Sequence, residues 1–147
     1  MSAAKPITVD TSVTVKWFFD EPYSVQALHL RQMFQAGTHY PLAPDLIYPE
    51  FANVIWKRVL FDAFDPDEGR AMIESFNALP FQIVPSLALL DIAFALGLKL
   101  GQSVYDTLFL ALSLASDAQL VTADDRFYHA VHTHFPQVCW LGAWKPA

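Results

Sequence analysis

The chain is nearly free of cysteine, which limits the ways it can be stabilised. Its one cysteine, Cys139, has no partner within the chain, so an internal disulfide is excluded. Cys139 lies in the apolar run at 138–141 and is predicted to be a buried strand residue. This cysteine usage fits a reducing compartment, and we expect a cytoplasmic location.

The chain also lacks a long uninterrupted apolar segment. Residues 1–8 contain one lysine and no apolar stretch of the kind found in export signals. The most apolar stretches, at 87–100 and 104–115, are short and are interrupted by Asp91, Lys99 and Asp106. We therefore expect neither an export signal nor a membrane anchor.

Basic residues are scarce. Nine Lys and Arg face fifteen Asp and Glu, for a formal net charge of −6. This balance argues against a protein that coats nucleic acid through a broad positive potential. It leaves room for an enzyme whose own carboxylates are neutralised by bound cations.

The composition is that of a well-packed globular protein. With 147 residues and 54% hydrophobic content, a core forms without disulfides, and we expect one domain spanning 1–147. No repeat, linker or low-complexity tract is visible. The aromatic content of 14% exceeds what so small an interior needs, so part of it is expected at an interface, either of a homodimer or with a tightly bound partner.

Short apolar runs alternate with helical patterns along the whole chain. The alternation predicts an α/β fold whose mainly parallel sheet has helices on both faces, because parallel strands need crossover connections. The helix that starts near 45 is ambiguous, since either Asp45 begins it or Pro49 marks its first turn. Strands are predicted at 7–9, 40–43, 81–84, 119–122 and 138–141, and helices at 11–19, 23–36, 45–61, 65–79, 87–99, 103–117 and 124–134.

Two aspartates follow predicted strands. Asp10 comes directly after the first strand, and Asp124 comes two residues after the strand at 119–122. In a parallel sheet such residues emerge at the carboxyl edge, where ligands bind. Either aspartate could instead cap the helix that follows it.

Two further acids stand beside apolar helix faces. Glu50 lies three residues after Ile47 and four before Val54, on or next to a buried stripe. It could instead reach solvent or pair with Lys57 or Arg58. Asp106 opens a nearly wholly apolar helix, although the spacing Ser103-x-x-Asp106 also matches a capping box.

If these four carboxylates share one cleft, they repel one another. Their pKa values would then rise unless divalent cations held them ionised. Oxygen ligands of this kind suit Mg²⁺ or Mn²⁺, and either one ion or two could act on a phosphate.

Four segments together resemble a known family. They are Val9-Asp10-Thr11-Ser12-Val13 with Lys16-Trp17-Phe18, Pro44-Asp45-Leu46 through Glu50-Phe51-Ala52-Asn53-Val54, the run from Tyr105 to Leu112, and Leu120-Val121-Thr122-Ala123-Asp124. In order and spacing they resemble the PIN domain, most closely the VapC-type toxins of bacterial toxin-antitoxin pairs, and the similarity covers nearly the whole chain.

The resemblance implies a three-layer α/β/α fold and an endoribonuclease that depends on Mg²⁺ or Mn²⁺ and is inhibited by a cognate antitoxin. By analogy, Asp10, Glu50, Asp106 and Asp124 are the catalytic, metal-binding quartet. Ser12 or Thr11 would support them through hydrogen bonds. The role of Asp125 stays open between metal ligand, water-orienting group and bystander.

Three basic residues could contact RNA phosphates or the acidic parts of a partner, although solvated surface is the commoner role of such residues. They are Lys16, Lys57 and Arg58. A cluster of His129, His132 and His134 lacks the cysteine pair of a zinc site and is interpreted as structural or surface.

Two alternatives to a nuclease remain. A haloacid-dehalogenase-like phosphatase also places an acid after its first strand, but it normally needs a second Asp two residues on, where this chain has Ser12. A catalytically silent module that binds proteins through its aromatic surface would keep the fold without the chemistry.

Overall fold

A computed structural model describes residues 3–145 and contains a five-stranded sheet whose neighbouring strands are all parallel. The strand order is β3-β2-β1-β4-β5, so β1 lies at the centre. This confirms the predicted parallel sheet of short strands. The strands are β1 (Lys5–Val9), β2 (His39–Pro44), β3 (Gln82–Val84), β4 (Gln119–Thr122) and β5 (Val138–Trp140).

Helices connect the strands. Within residues 3–145 the α-helices are α1 (Thr11–Thr14), α2 (Ser24–Ala36), α3 (Ile47–Asp62), α4 (Pro66–Asn77), α5 (Leu90–Leu100), α6 (Val104–Ser116) and α7 (Asp125–Val131). Short 3-10 turns cover Val15–Trp17, Ser86–Leu89 and Leu141–Ala143.

The two faces of the sheet bury different helices. Successive strand residues point to opposite faces. Leu120 packs with Leu110 of α6, whereas its neighbour Val121 packs with Val9 and with Leu30 of α2. The sheet is therefore sandwiched between helices, and the expected three-layer α/β/α architecture is confirmed.

The helix predicted at 11–19 is shorter in the structure. One α-helical turn, α1, is followed by a 3-10 turn that ends at Trp17. The buried indole of Trp17 donates a hydrogen bond to the Ala27 carbonyl of α2 at 2.8 Å. Anchoring this side chain on α2 fixes the path of the chain where a longer helix was predicted.

The start of α3 resolves an ambiguity in the sequence. The helix begins at Ile47, so Pro49 lies in its first turn. Asp45 as the first residue of the helix is wrong, because its carboxylate instead accepts hydrogen bonds from the backbone N–H and hydroxyl of Ser86. These bonds hold the entrance of α3 against the segment that follows β3.

The two most apolar helices, α5 and α6, lie side by side. All residues from Thr107 to Ser113 in α6 are buried, as predicted for this helix. A close approach at Gly97, whose missing Cβ would lie 2.9 Å from the Gln102 carbonyl oxygen, lets the turn between them fold back tightly. Among the described helices none is by itself long and apolar enough to cross a membrane, and one pair passes that test jointly, Ser86–Leu100 with Val104–Ser116, bent by 115°.

Candidate active site

Asp10, Glu50, Asp106 and Asp124 all line one cleft at the carboxyl edge of the sheet. Asp10 follows β1 and Asp124 follows β4, and these neighbouring strands pair Val9 with Val121. Two aspartates that are far apart in sequence therefore emerge side by side. The sequence predicted this meeting from the strand ends.

Two helices bring the other acids to the same place. Glu50 lies in the first turn of α3, and Asp106 lies in the first turn of α6. Asn53, Val54 and Lys57 follow Glu50 at helical spacing and line the cleft beside it. The side of α3 that carries Glu50 thus forms one wall of the cleft.

Hydroxyl groups hold the Asp10 carboxylate from two sides. Ser12 donates to one carboxylate oxygen and Thr122 to the other. The Ser12 hydroxyl accepts from the backbone N–H of Ala123 at 2.8 Å, and the Thr122 hydroxyl accepts from that of Asp124 at 3.1 Å. The network orients Asp10 and ties it to the segment that carries Asp124.

Glu50 has its own donor. The buried Thr11 hydroxyl donates to Glu50 Oε1 at 2.8 Å, across 39 residues of sequence. Thr11 therefore orients Glu50, while Ser12 orients Asp10. Both residues predicted to support the acids lie in the position needed to do so.

The acids are costly to ionise in this environment. Burial raises the pKa of Asp10 to about 6, against the hydrogen bonds from Ser12 and Thr122, and repulsion from Asp124 and Asp106 adds to the rise. Burial raises the pKa of Glu50 to about 7, opposed by the Thr11 hydrogen bond and reinforced by Asp10 and Asp106. The pKa of Asp106 is raised by burial and by Asp124. The carboxylates therefore raise one another's pKa values by repulsion, as the sequence predicted for acids in one cleft.

The capping roles weighed in the sequence hold for some acids. The Asp124 carboxylate accepts from the Phe127 N–H at 3.1 Å and caps α7, and the Ser103 hydroxyl accepts from the Asp106 N–H at 3.2 Å and caps α6. Asp10 stands at the start of α1 but makes no side-chain cap there. Helix capping therefore does not account for Asp10, and at Asp106 the capping group is Ser103.

The three basic residues predicted to contact substrate lie in two different environments. Lys57 lines the cleft. Lys16 and Arg58 instead both bind the Glu21 carboxylate, Lys16 at 3.1 Å, and the Arg58 guanidinium lies 4.0 Å from the centre of the Phe19 ring. Of the described ion pairs none involves Glu50, so the alternative in which Glu50 pairs with Lys57 or Arg58 is not seen.

Asp125 and the histidines lie outside the cleft. The Asp125 side chain is 71% exposed and lies 3.2 Å from His129 one turn later on α7. The His132 ring stacks on Tyr128 at 4.4 Å. Across residues 3–145 no group of three or more His, Cys, Asp or Glu is arranged to enclose a metal ion.

Three residues that line or support the site were not predicted from the sequence. Thr122 donates to Asp10, and its signal is a polar residue that ends an apolar strand two positions before Asp124. Asn53 lines the cleft one helical turn after Glu50. Arg126 lines an adjoining cleft together with Asp106 and Asp124, and no pattern in the sequence indicates that position.

The donor set fits a hard divalent cation. Oxygen is the ligand that Mg²⁺ and Mn²⁺ prefer, and four carboxylates face one cleft whose acids repel one another. The absence of a preformed group of three ligands within residues 3–145 does not conflict with this, because Mg²⁺ keeps several waters and binds through one or two carboxylates.

Sequence comparison relates the chain to the PIN domain and to one ribonuclease. The PIN domain family model matches residues 7–132. Ribonuclease VapC3 from Pyrobaculum aerophilum is 34% identical over 122 residues, which are 80% of this chain and 88% of that protein.

Solved structures agree on the fold. The crystal structure of PAE2754 from Pyrobaculum aerophilum matches with a TM-score of 0.65 at 17% identity, covering 86% of this chain and 79% of that one. VapBC2 from Rickettsia felis, solved with a DNA fragment from its promoter, matches with a TM-score of 0.63 at 13% identity, covering 92% and 96%. A toxin-antitoxin complex from Klebsiella pneumoniae matches with a TM-score of 0.57 at 14% identity, covering 90% and 95%.

Proposed function

The chain belongs to the PIN-domain family, and from that premise we propose that it is an endoribonuclease dependent on Mg²⁺ or Mn²⁺, the toxin of a toxin-antitoxin pair. The observation that carries the proposal is the meeting of Asp10, Glu50, Asp106 and Asp124 in one cleft. The similarity to Ribonuclease VapC3 supports RNA as the substrate.

One or two of the carboxylates of Asp10, Asp106 and Asp124 would bind the cation directly and the others through its waters, with Glu50 facing it. When bound, a divalent cation neutralises charge on the phosphate and lowers the pKa of water, which favours hydrolysis. Burial is the main cause of the raised pKa values of Asp10 and Asp106, and the cation would remove the repulsion that adds to it.

The side chains of the cleft supply orientation and a proton acceptor. Ser12 and Thr122 fix the Asp10 carboxylate, and Thr11 fixes one oxygen of Glu50. Glu50 lines the same cleft and would take the proton of a water whose oxygen attacks phosphorus, since burial favours the protonated form of its carboxyl and raises its pKa. The phosphorus–oxygen bond to the leaving nucleotide then breaks, and the leaving oxygen takes a proton from solvent.

Exposed apolar side chains suggest where partners bind. Trp56, Leu60 and Phe61 are exposed on α3, the helix that carries Glu50, so an antitoxin seated there would lie next to the cleft. The structural relative from Klebsiella pneumoniae is a toxin-antitoxin complex, which supports such a partner. The exposed apolar side chains Phe94 and Leu98 of α5 would form a homodimer contact. We also propose that the chain is a single domain and acts in the cytoplasm.

The test is cleavage of a structured, end-labelled RNA by the purified protein with Mg²⁺ or Mn²⁺, with EDTA as the metal-free control. Asp10→Asn and Asp106→Asn should each reduce kcat/KM at least about a hundredfold, because metal-assisted stabilisation is worth several kcal/mol and about 1.4 kcal/mol is a factor of ten. Circular dichroism should show that both variants stay folded.

Asp62→Asn is the matched control. Asp62 is an exposed acid at the far end of α3 from Glu50, and its variant should cleave as the wild type does. Equal cleavage by the wild type and both cleft variants would point to a contaminating nuclease and remove the proposal. An inactive wild type that still binds an antitoxin would favour the silent binding module.

A phosphatase is less consistent with these contacts. Ser12 occupies the position where the haloacid-dehalogenase-like alternative needs a second aspartate, and its hydroxyl is engaged by Asp10 and Ala123. Release of inorganic phosphate from a small phosphomonoester, without RNA cleavage, would revive that alternative.

A further inference from the structure

A second cleft adjoins the acids, and its described lining contains no residue of α3. It is lined by residues of the turn between α5 and α6, among them Gln102 and Ser103, and by Arg126 of α7. Asp106 and Asp124 line this cleft as well as the first one. The two clefts therefore meet at the acids and form one path across the carboxyl edge of the sheet.

Each cleft contributes one exposed basic side chain. Lys57 lines the first cleft and Arg126 the second. Within residues 3–145 neither of them forms an ion pair, whereas Lys16 and Arg58 are both engaged by Glu21. Two basic side chains without an ion-pair partner in residues 3–145, Lys57 and Arg126, thus lie on either side of acids that also lack one.

This arrangement suits an extended polyanion. A chain with one negative charge per nucleotide is repelled by the acids except where a bound cation neutralises them. Phosphates on either side of the scissile one need positive partners of their own. An arginine is well adapted to such a partner, since its guanidinium donates two parallel hydrogen bonds to a phosphate.

We propose that Arg126 binds the RNA phosphate next to the scissile one in the second cleft, and that Lys57 binds a phosphate on the opposite side. The strand then crosses the acids from one cleft to the other. This inference rests on the proposed function and adds the path of the substrate to it. Arg126 is accordingly a substrate-binding residue that acts on affinity.

The test compares Arg126→Gln with Arg70→Gln in the full-length protein. Arg70 is exposed on α4 and lines neither cleft. Arg126→Gln should lower kcat/KM on a single-stranded RNA about tenfold, mainly through KM, which is the size expected for a charge-assisted hydrogen bond. The slope of log binding constant against log salt should fall by about 0.7 to 1, the loss of one phosphate contact. Arg70→Gln should match the wild type.

A modified substrate locates the contact. Replacing one phosphate beside the cleavage position with an uncharged methylphosphonate should weaken cleavage by the wild type. The same replacement should have no further effect on Arg126→Gln, because paired changes at one contact are not additive. The equivalent replacement on the other side of the scissile bond should show this pattern with Lys57→Gln.

The outcomes separate this inference from the proposed function. Cleavage by the wild type with Arg126→Gln equal to Arg70→Gln would overturn the contact and leave the nuclease intact. A loss in kcat with a raised Mg²⁺ requirement would also overturn it, since Arg126 would then act on the acids. Binding of RNA without cleavage, weakened by Arg126→Gln, would keep the contact and remove the nuclease. A wild type that neither binds nor cleaves RNA removes both.

Discussion

Glu21 pairs with Arg58 of α3 and Glu50 lies in the first turn of the same helix, but the two carboxylates have opposite electrostatic surroundings. Glu21 receives Lys16 and Arg58, so its charge is matched inside the protein. Glu50 faces Asp10 and Asp106, and its donor in the described structure is the neutral hydroxyl of Thr11. The charge of Glu21 is compensated within the protein, whereas the acids of the cleft repel one another until a bound cation removes that repulsion.

The largest effect should come from titrating the cleft without metal. The pKa values of Asp10 and Glu50 rise in the folded state, from 3.8 to about 6 and from 4.5 to about 7. The folded protein therefore binds more protons than the unfolded chain in this window, and its stability falls as pH rises from about 4 to 7. Each rise corresponds to roughly 3 kcal/mol at about 1.4 kcal/mol per pKa unit, so the loss should be on the order of 3 to 6 kcal/mol, below the full sum because Glu50 is partly exposed and the two groups titrate together.

Urea unfolding in EDTA at several pH values measures this loss. The difference between wild type and the Asp10→Asn, Glu50→Gln double variant isolates the two groups from other titrating residues, such as Asp45, whose pKa is lowered by Ser86. Adding Mg²⁺ at pH 7.5 should raise the free energy of unfolding of the wild type and leave that of the double variant unchanged. A flat difference curve would show that folding does not raise the pKa values of Asp10 and Glu50.

Breaking the support of Asp10 should have the next largest effect. Thr122→Val keeps the shape of the side chain and removes the hydroxyl that donates to Asp10. Metal affinity, measured by calorimetry with Mn²⁺, should fall roughly 10- to 100-fold, as is typical when a partner of a metal ligand is lost. Thr122→Ser should recover most of the affinity.

Thr8→Val is the matched control for that change. Thr8 is also buried in the sheet, but its hydroxyl has no hydrogen-bond partner in the described structure. Its variant should bind Mn²⁺ as the wild type does. Equal Mn²⁺ affinity in the wild type, Thr122→Val and Thr8→Val would exclude a positioning role for Thr122.

Removing the Glu21 carboxylate should lower stability and leave metal binding unchanged. Glu21→Ala leaves Lys16, whose side chain is 10% exposed, and Arg58 without their anion. The free energy of unfolding in urea should drop by about 1 to 2 kcal/mol, less than for a fully buried pair. Glu74→Ala, an exposed acid on α4, should cost less, and a weakened Mn²⁺ affinity in Glu21→Ala would contradict the separation of the two regions.

The smallest effect is expected at Asp125. This residue is exposed and pairs with His129 on the surface of α7. Asp125→Asn should change stability by less than about 0.5 kcal/mol, the range of surface ion pairs, and should leave RNA cleavage near the wild-type rate. A tenfold loss of cleavage would instead assign Asp125 to the site.

The location of the acids could be predicted because the signals are local. Asp10 and Asp124 each follow an apolar strand within one or two residues, and parallel strands end at one edge. Glu50 was found from its place on a helical stripe. Helix starts were less predictable, since Asp45 satisfies a distant backbone N–H and hydroxyl where a cap was expected.

The sequence by itself determined the order of strands and helices and the set of acids at the sheet edge, because apolar periodicity and strand ends are written in neighbouring residues. Only the tertiary structure decided which basic side chains form ion pairs and which hydroxyl groups support the acids. Arg58 contacts Glu21 across 37 residues of sequence, and Thr122 donates to Asp10 across 112. Such contacts depend on how the packed helices and strands are oriented in space, and the local sequence pattern does not determine that orientation.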